Sequence, residues 1–451
     1  MLAALALLAL HSSFAAETNP ATSPPGWLTQ PMSLADALTT ALAQNNAILK
    51  GQRDLEATHG LVVQTRAIAW PKLRGGGNYI HNGAVEEIPY SLPVRVTPQH
   101  DEWSGILRLD QTIYEGGRIR SALRSARLIT EQALLKHQVV IADTLLEVRT
   151  GYYAVLLAEQ QIVVQEASVK LLAQELETTL HRFEAGTVPR FDVLRAEVEV
   201  AKVKPKLIRA RNIHRITKND LAVVLGYNIP ATVWEDIPMT LTGKLEAEPY
   251  QLELPAAIAQ ALDRRAELGV LRKEERLRQE AIVTAKAGSK PTLGLFAGYD
   301  AHNSIIYDDF RHDVSGAIAG VQLSWNMYDG GQTKGKILQA RALQEKAGLE
   351  LDDARRRIQL QVRTAYSTFL EAREVLESQK KVLEQAEESL RLAGSRYEAG
   401  TGTQLDVLDA QTSLTEARTT QIQALYEYSV ARAKLERAIG RDIPQETPPA
   451  R

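Results

Sequence analysis

Cysteine is absent from the 451 residues. That absence excludes a disulfide framework, thiolate chemistry and cysteine-ligated metal, and it leaves no residue to carry an N-terminal lipid anchor. Long apolar runs are absent too. No segment approaches the roughly 20 apolar residues that a membrane-spanning helix needs, so a membrane location would require a β-barrel. Neither sign of charge is in excess: 53 Lys and Arg stand against 55 Asp and Glu, a formal charge of -2. Such a balance offers no basic field for nucleic acid, which is not an expected partner. No Ser-His-Asp set, catalytic carboxylate pair or metal-ligand spacing is found, so neither an enzyme nor a cofactor is expected. What remains, 44% hydrophobic and 24% charged residues, is ordinary for an ordered protein.

The N-terminus opens with an apolar run from Leu2 to Leu10 followed by small residues. It is too short to span a bilayer and reads as a signal peptide over residues 1–16, cleaved after Ala15 or Ala16, although its n-region has no Lys or Arg. Beyond it the chain is a duplication. Arg182-Phe-Glu-Ala-Gly186-Thr187, followed by Asp192-Val-Leu, returns as Arg396-Tyr397-Glu-Ala-Gly400-Thr401, followed by Asp406-Val-Leu, at an offset of 214 residues. The same offset relates Tyr114-Glu-Gly116-Gly117 to Tyr328-Asp-Gly330-Gly331, and Gly226 with Pro230 to Gly440 with Pro444.

Each repeat carries the same succession of signals. An opening helix (33–69 and 254–289) ends at a proline, and two stretches of period two follow. The clearer stretches set Leu107, Leu109 and Ile113 against Arg108, Asp110 and Thr112, and Val321, Leu323, Trp325 and Met327 against Gln322, Ser324 and Asn326. Apolar and polar faces of that kind suit a strand with core or lipid on one side and water on the other. Trp70, Trp103, Trp325, Tyr79, Tyr114, Tyr299 and Tyr328 gather on or beside the strands, as an interfacial aromatic belt would. After each Gly-Gly the sequence becomes helical as far as Arg182 or Arg396, about 98 Å at the α-helical rise. Return helices from Asp192 and Asp406 are about half as long, and both aspartates are expected as N-caps. Apolar residues spaced by three and four, such as Leu145, Val148, Tyr152, Val155 and Leu156, read as coiled-coil seams.

These signals place a first repeat over 17–230 (hairpin 71–114, tip 182–192), a mid-height link over 231–253, a second repeat over 254–444 (hairpin 291–328, tip 396–406) and a tail over 445–451. Four strands cannot close a barrel, so several chains must assemble. Gly330 to Lys336 imitates a phosphate loop, but Ile337 replaces the Mg²⁺-binding Ser or Thr and the first repeat has no Gly-Lys. His81, His100, His302 and His312 lie in two strand-connecting loops and read as solvated rather than metal-binding.

The paired tips, the paired strand exits and the duplication together resemble the TolC family of outer-membrane efflux proteins over nearly the whole mature chain. The resemblance implies a mainly α fold with a transmembrane β part: a homotrimer with a twelve-stranded barrel in outer-membrane lipid and a periplasmic α-helical tunnel. It also implies a passive export duct, docked to a periplasmic adaptor and an inner-membrane transporter in a tripartite pump or type I secretion system. Gly186, Thr187, Gly400 and Thr401 would form the periplasmic entrance and adaptor contact. Asp192, Tyr397, Asp406 and Asp409 would form a gate or selectivity ring. The family's gate arginine is replaced by Gly402, so a gate with fewer polar links is expected, mainly on the second repeat. The competing reading is a periplasmic structural coiled coil without a pore, which would have no use for a signal peptide with hairpin strands.

Overall fold

The computed structural model describes residues 26–81, 101–229, 237–303 and 313–441. The signal-peptide segment, the tail 445–451, His100 and His312 lie outside the described residues. The chain starts with a short helix α1 (Gly26–Thr29), then α2 (Leu34–Gln44) and α3 (Asn46–Arg66), which ends in a single 3-10 turn. Strands β1 (Lys72–His81) and β2 (Asp101–Glu115) lead into α4 (Arg118–Glu184) and α5 (Arg190–Val224). The second half repeats this order: α6 (Leu254–Arg264), α7 (Ala266–Ala287), β3 (Thr292–Asn303), β4 (Asp313–Ser324), α8 (Gln332–Glu398) and α9 (Gln404–Ala438).

Both long helices have 67 residues and both return helices 35, hence about 100 Å and 52 Å. Every described residue with positive φ is a glycine, and all eight form pairs 214 apart: Gly116 with Gly330, Gly117 with Gly331, Gly186 with Gly400, Gly226 with Gly440. The duplication therefore extends to backbone conformation.

The single opening helix expected in each repeat is broken in two, at Asn45 (ψ 128°) and Arg265 (ψ 120°). Asn45 explains the first break. Its side-chain oxygen accepts from the N–H groups of Ala47 and Ile48, capping α3, while its amide donates to Val224 O (2.6 Å) at the end of α5. The end of α5 thus abuts the start of α3, and the two lie along α4 end to end. Gly226 makes this possible, because a Cβ there would collide with the backbone of Gln44.

At this level the apolar seams are buried. Leu145, Val148, Tyr152, Val155 and Leu156 are at most 5% exposed, and the last four pack with Leu28, Ala41, Leu221 and Leu225. Ile358, Val362 and Phe369 form the matching core with Leu268, Tyr428 and Leu435. Each such side chain contributes about 1.5–3 kcal/mol by leaving water. The described part of the link runs extended between the two cores. Met32 pairs with Leu241 in a parallel bridge, and the Tyr152 hydroxyl donates to Met32 O and accepts from Gly243 N.

The strands form one antiparallel sheet in sequence order, β1-β2-β3-β4, with β1 and β4 as unpaired edges. Leu73, Leu107, Leu109, Leu295, Tyr299, Val321 and Leu323 are all exposed on one face, in mutually consistent register. The other face carries Lys72, Arg74, Arg108, Asp110, Gln322 and Ser324. A bulge between Thr112 and Tyr114 turns Tyr114 onto the apolar face with Ile113. Strand β4 stops at Ser324, short of the expected alternation through Met327. Its partner ladder ends at Thr292, and the preceding Pro291 has no N–H to extend it. Among the described residues no helix is long and apolar enough to cross a membrane.

Candidate functional site

The two helix tips are built alike and finished differently. At the first, the N–H and hydroxyl of Thr187 both donate to Arg182 O (2.9 and 2.8 Å), closing the turn over Gly186. At the second, Thr401 does the same to Arg396 O (2.9 and 3.2 Å) over Gly400, and Gly402 N adds a third bond to that carbonyl. A side chain at Gly402 would press on Arg396 and the backbone of Tyr397.

Asp192 and Asp406 stand at the third position of their helices and are not N-caps; Pro189 and Thr403 occupy the caps. Thr403 and Asp406 form a reciprocal capping box. The Asp406 carboxylate accepts from Thr403 N and Thr403 Oγ1 (2.8 Å each), and Asp406 N donates to Thr403 Oγ1 (3.2 Å). The bond from Thr403 N, then that from its hydroxyl, holds Asp406 below the usual carboxylate pKa. Pro189 has neither group to offer, so Asp192 has no such partner. Asp406 and Asp409 are exposed on one face of α9, whereas Asp192 is half-buried.

Tyr397 lies beneath the Arg182 guanidinium (4.5 Å to the ring centroid) and its hydroxyl is buried without a partner. That contact joins the tip of one repeat to the tip of the other. Beside it, Gln404 Nε2 donates to Thr179 Oγ1 (2.7 Å), and burial raises the pKa of Glu175 despite its hydrogen bonds with Gln404 and Thr179. Sequence reasoning missed Arg182, Thr179, Glu175 and Gln404. Arg182 opens the tip motif itself, but no spacing rule tells which ring an arginine will cover.

The strand exits are also asymmetric. Asp329 accepts from Gly331 N (3.1 Å) and Thr333 N (2.8 Å), capping α8 and lying below the usual pKa, chiefly through Thr333. Its counterpart Glu115 instead pairs with Arg118 (2.8 Å). Gly116 packs against Ala287 and Lys290, while Gly330 and Gly331 have open space around them. Tyr114 and Tyr328 are both exposed. Two of the histidines expected in loops lie on strands instead: His81 ends β1 and pairs with Asp101 (2.6 Å), and His302 stands on β3 and pairs with Asp300 (3.2 Å).

A family model described as outer membrane efflux protein matches residues 37–227 and 257–441. The chain is 24% identical over 423 residues to Outer membrane protein TolC of Salmonella enteritidis, covering 92% of this chain and 83% of that protein. It is 25% identical over 423 residues to Cobalt-zinc-cadmium resistance protein CzcC of Cupriavidus metallidurans, covering 91% and 90%. Its fold matches that of the Campylobacter jejuni CmeC outer membrane channel with a TM-score of 0.76 at 13% identity, over 92% of this chain and 86% of that one. One matched stretch falls on each of the two halves, and the chain belongs to the outer membrane efflux protein family.

Proposed function

We propose that three copies of this chain form the outer-membrane duct of a tripartite efflux pump or type I secretion system. The observation that carries the reading is the four-stranded sheet: one face apolar and exposed, the other polar, both edges unpaired, and helices of about 100 Å below it. An open sheet of this kind is satisfied by pairing its edges with those of neighbouring copies, which gives twelve strands around a polar lumen in lipid. Trp103 and Tyr114 are 11 residues apart on β2, or about 36 Å along the strand, a spacing suited to two aromatic girdles.

The helices then extend the lumen into the periplasm. At their tips Gly186, Thr187, Gly400 and Thr401 meet a periplasmic adaptor, beside an inner-membrane transporter that supplies the energy. Exposed Phe191, Leu194 and Val198 add apolar surface at the first tip. Asp406 and Asp409 from three copies place six carboxylates around the entrance and favour cations there. Tyr397 belongs to the gate through its stack with Arg182, and Asp192 stands at its edge. Detergent extracts of the outer membrane should contain a heat-modifiable trimer of the full chain; recovery in the soluble fraction would refute the duct.

A further inference from the structure

The polar face of the sheet is strongly basic where it meets the helices. Lys72 and Arg74 lie on it directly opposite Asp110 and Arg108 in the β1–β2 register, so two arginines face each other across one strand pair. Opposed like charges normally destabilise a sheet. Arg108 is held there by Asp110 (2.8 Å) and by stacking on Phe296 (4.2 Å to the ring centroid). Phe296 in turn covers Gly320, where any Cβ would strike the ring.

Just below, a concavity of about 370 Å³ is lined by Glu115, Arg118, Lys290, Thr292, Ser324 and Lys336. Glu115 is directly opposite Thr292, and Thr292 opposite Ser324, so this concavity continues the polar face. The nearby acids are already engaged: Asp110 by Arg108, Glu115 by Arg118 (2.8 Å), and Asp329 by the first N–H groups of α8. Lys72, Arg74, Lys290 and Lys336 are all exposed and make no ion pair among the described residues.

We propose that this collar is an anion-binding station in the lumen at the barrel–tunnel junction, which takes solutes bearing several phosphate or carboxylate groups. The inference rests on the duct reading, because only a closed assembly brings the collars of the copies around one axis. Three copies supply twelve unpaired cations, and a narrow low-dielectric passage focuses their field. The collar is opposite in sign to the carboxylates at the tips, so the two ends of the duct select differently.

The test uses the full chain reconstituted in planar bilayers, with inorganic tripolyphosphate added on the barrel side. Wild type should be blocked, and the block should weaken as potassium chloride is raised, because exposed charges are screened within about 8 Å at physiological ionic strength. Lys290→Cys/Lys336→Cys, in a chain otherwise free of thiols, should need about tenfold more tripolyphosphate. Modification with an aminoethyl methanethiosulfonate should restore the block, and a sulfonatoethyl reagent should not. Salt-independent block of the wild type, or the same response to both reagents, overturns the collar. Conducting pores indifferent to tripolyphosphate remove the collar and leave the duct standing, whereas no conductance from any form removes both.

Discussion

Glu267 shows how much one side chain carries at the junction of the repeats. Burial opposes its charge, but hydrogen bonds from Arg265 and Arg437 outweigh that and bring its pKa from 4.5 down to about 2. Arg437, 8% exposed, also binds Asp143 of α4 (2.7 Å), so the network ties the first long helix to α7 and α9. A depressed carboxylate pKa means that stabilisation is complete above the ordinary value and is lost as pH falls from 4.5 to about 2. The shift corresponds to roughly 3 kcal/mol per chain. Glu267→Gln should lower thermal stability at pH 7 and flatten its decline over that acid window, measured by the helical circular dichroism signal. Glycine positions differ in the same local way. Gly226→Ala meets both positive φ and the Gln44 backbone and should cost about 2–4 kcal/mol. Gly186→Ala, with positive φ in open space, should cost about 1 kcal/mol. Chemical denaturation of the two variants side by side checks the order.

At the scale of elements, the long helices, the hairpins and their apolar seams were legible because each obeys a local period. Leu107 and Leu109 alternate with Arg108 and Asp110, and Val148, Tyr152 and Val155 recur by three and four, with no reference to distant chain. The breaks at Asn45 and Arg265 were not legible, because their causes lie far away. Asn45 is turned by the carbonyl of Val224, 179 residues distant, and Arg265 by its contact with Gln361, 96 residues distant. The bulge at Ile113 escaped for a similar reason, since it is defined by the partner strand. Asn45→Ala should therefore cost about 1–2 kcal/mol, losing both the α3 cap and the link to α5; Asn45→Asp, which retains the capping oxygen, should recover part of it. Hydrogen exchange at the first amides of α3 and the last turn of α5 would rise together in the alanine variant; a rise confined to α3 would argue against end-to-end coupling.

At the scale of the whole molecule, the offset of 214 residues made the repeat visible and the eight positive-φ glycines carry it into the backbone. Divergence between the copies is equally physical. Pro189 replaces Thr403, so only the second tip has a capping box, and Arg195 stands where the second repeat has Asp409. The proposed entrance charge should accordingly reside on α9: Asp406→Asn/Asp409→Asn should reduce cation selectivity of single channels, while Asp192→Asn should change it little. Nothing in one chain's spacing reveals how its sheet edges are satisfied, yet closure of the duct depends on it. The most direct test places one cysteine on β1 and one on β4 in the thiol-free full chain and adds a short bis-maleimide to membranes. Closure by three copies predicts covalent dimers and trimers with nothing larger. A ladder running beyond three, or monomers alone, would contradict it.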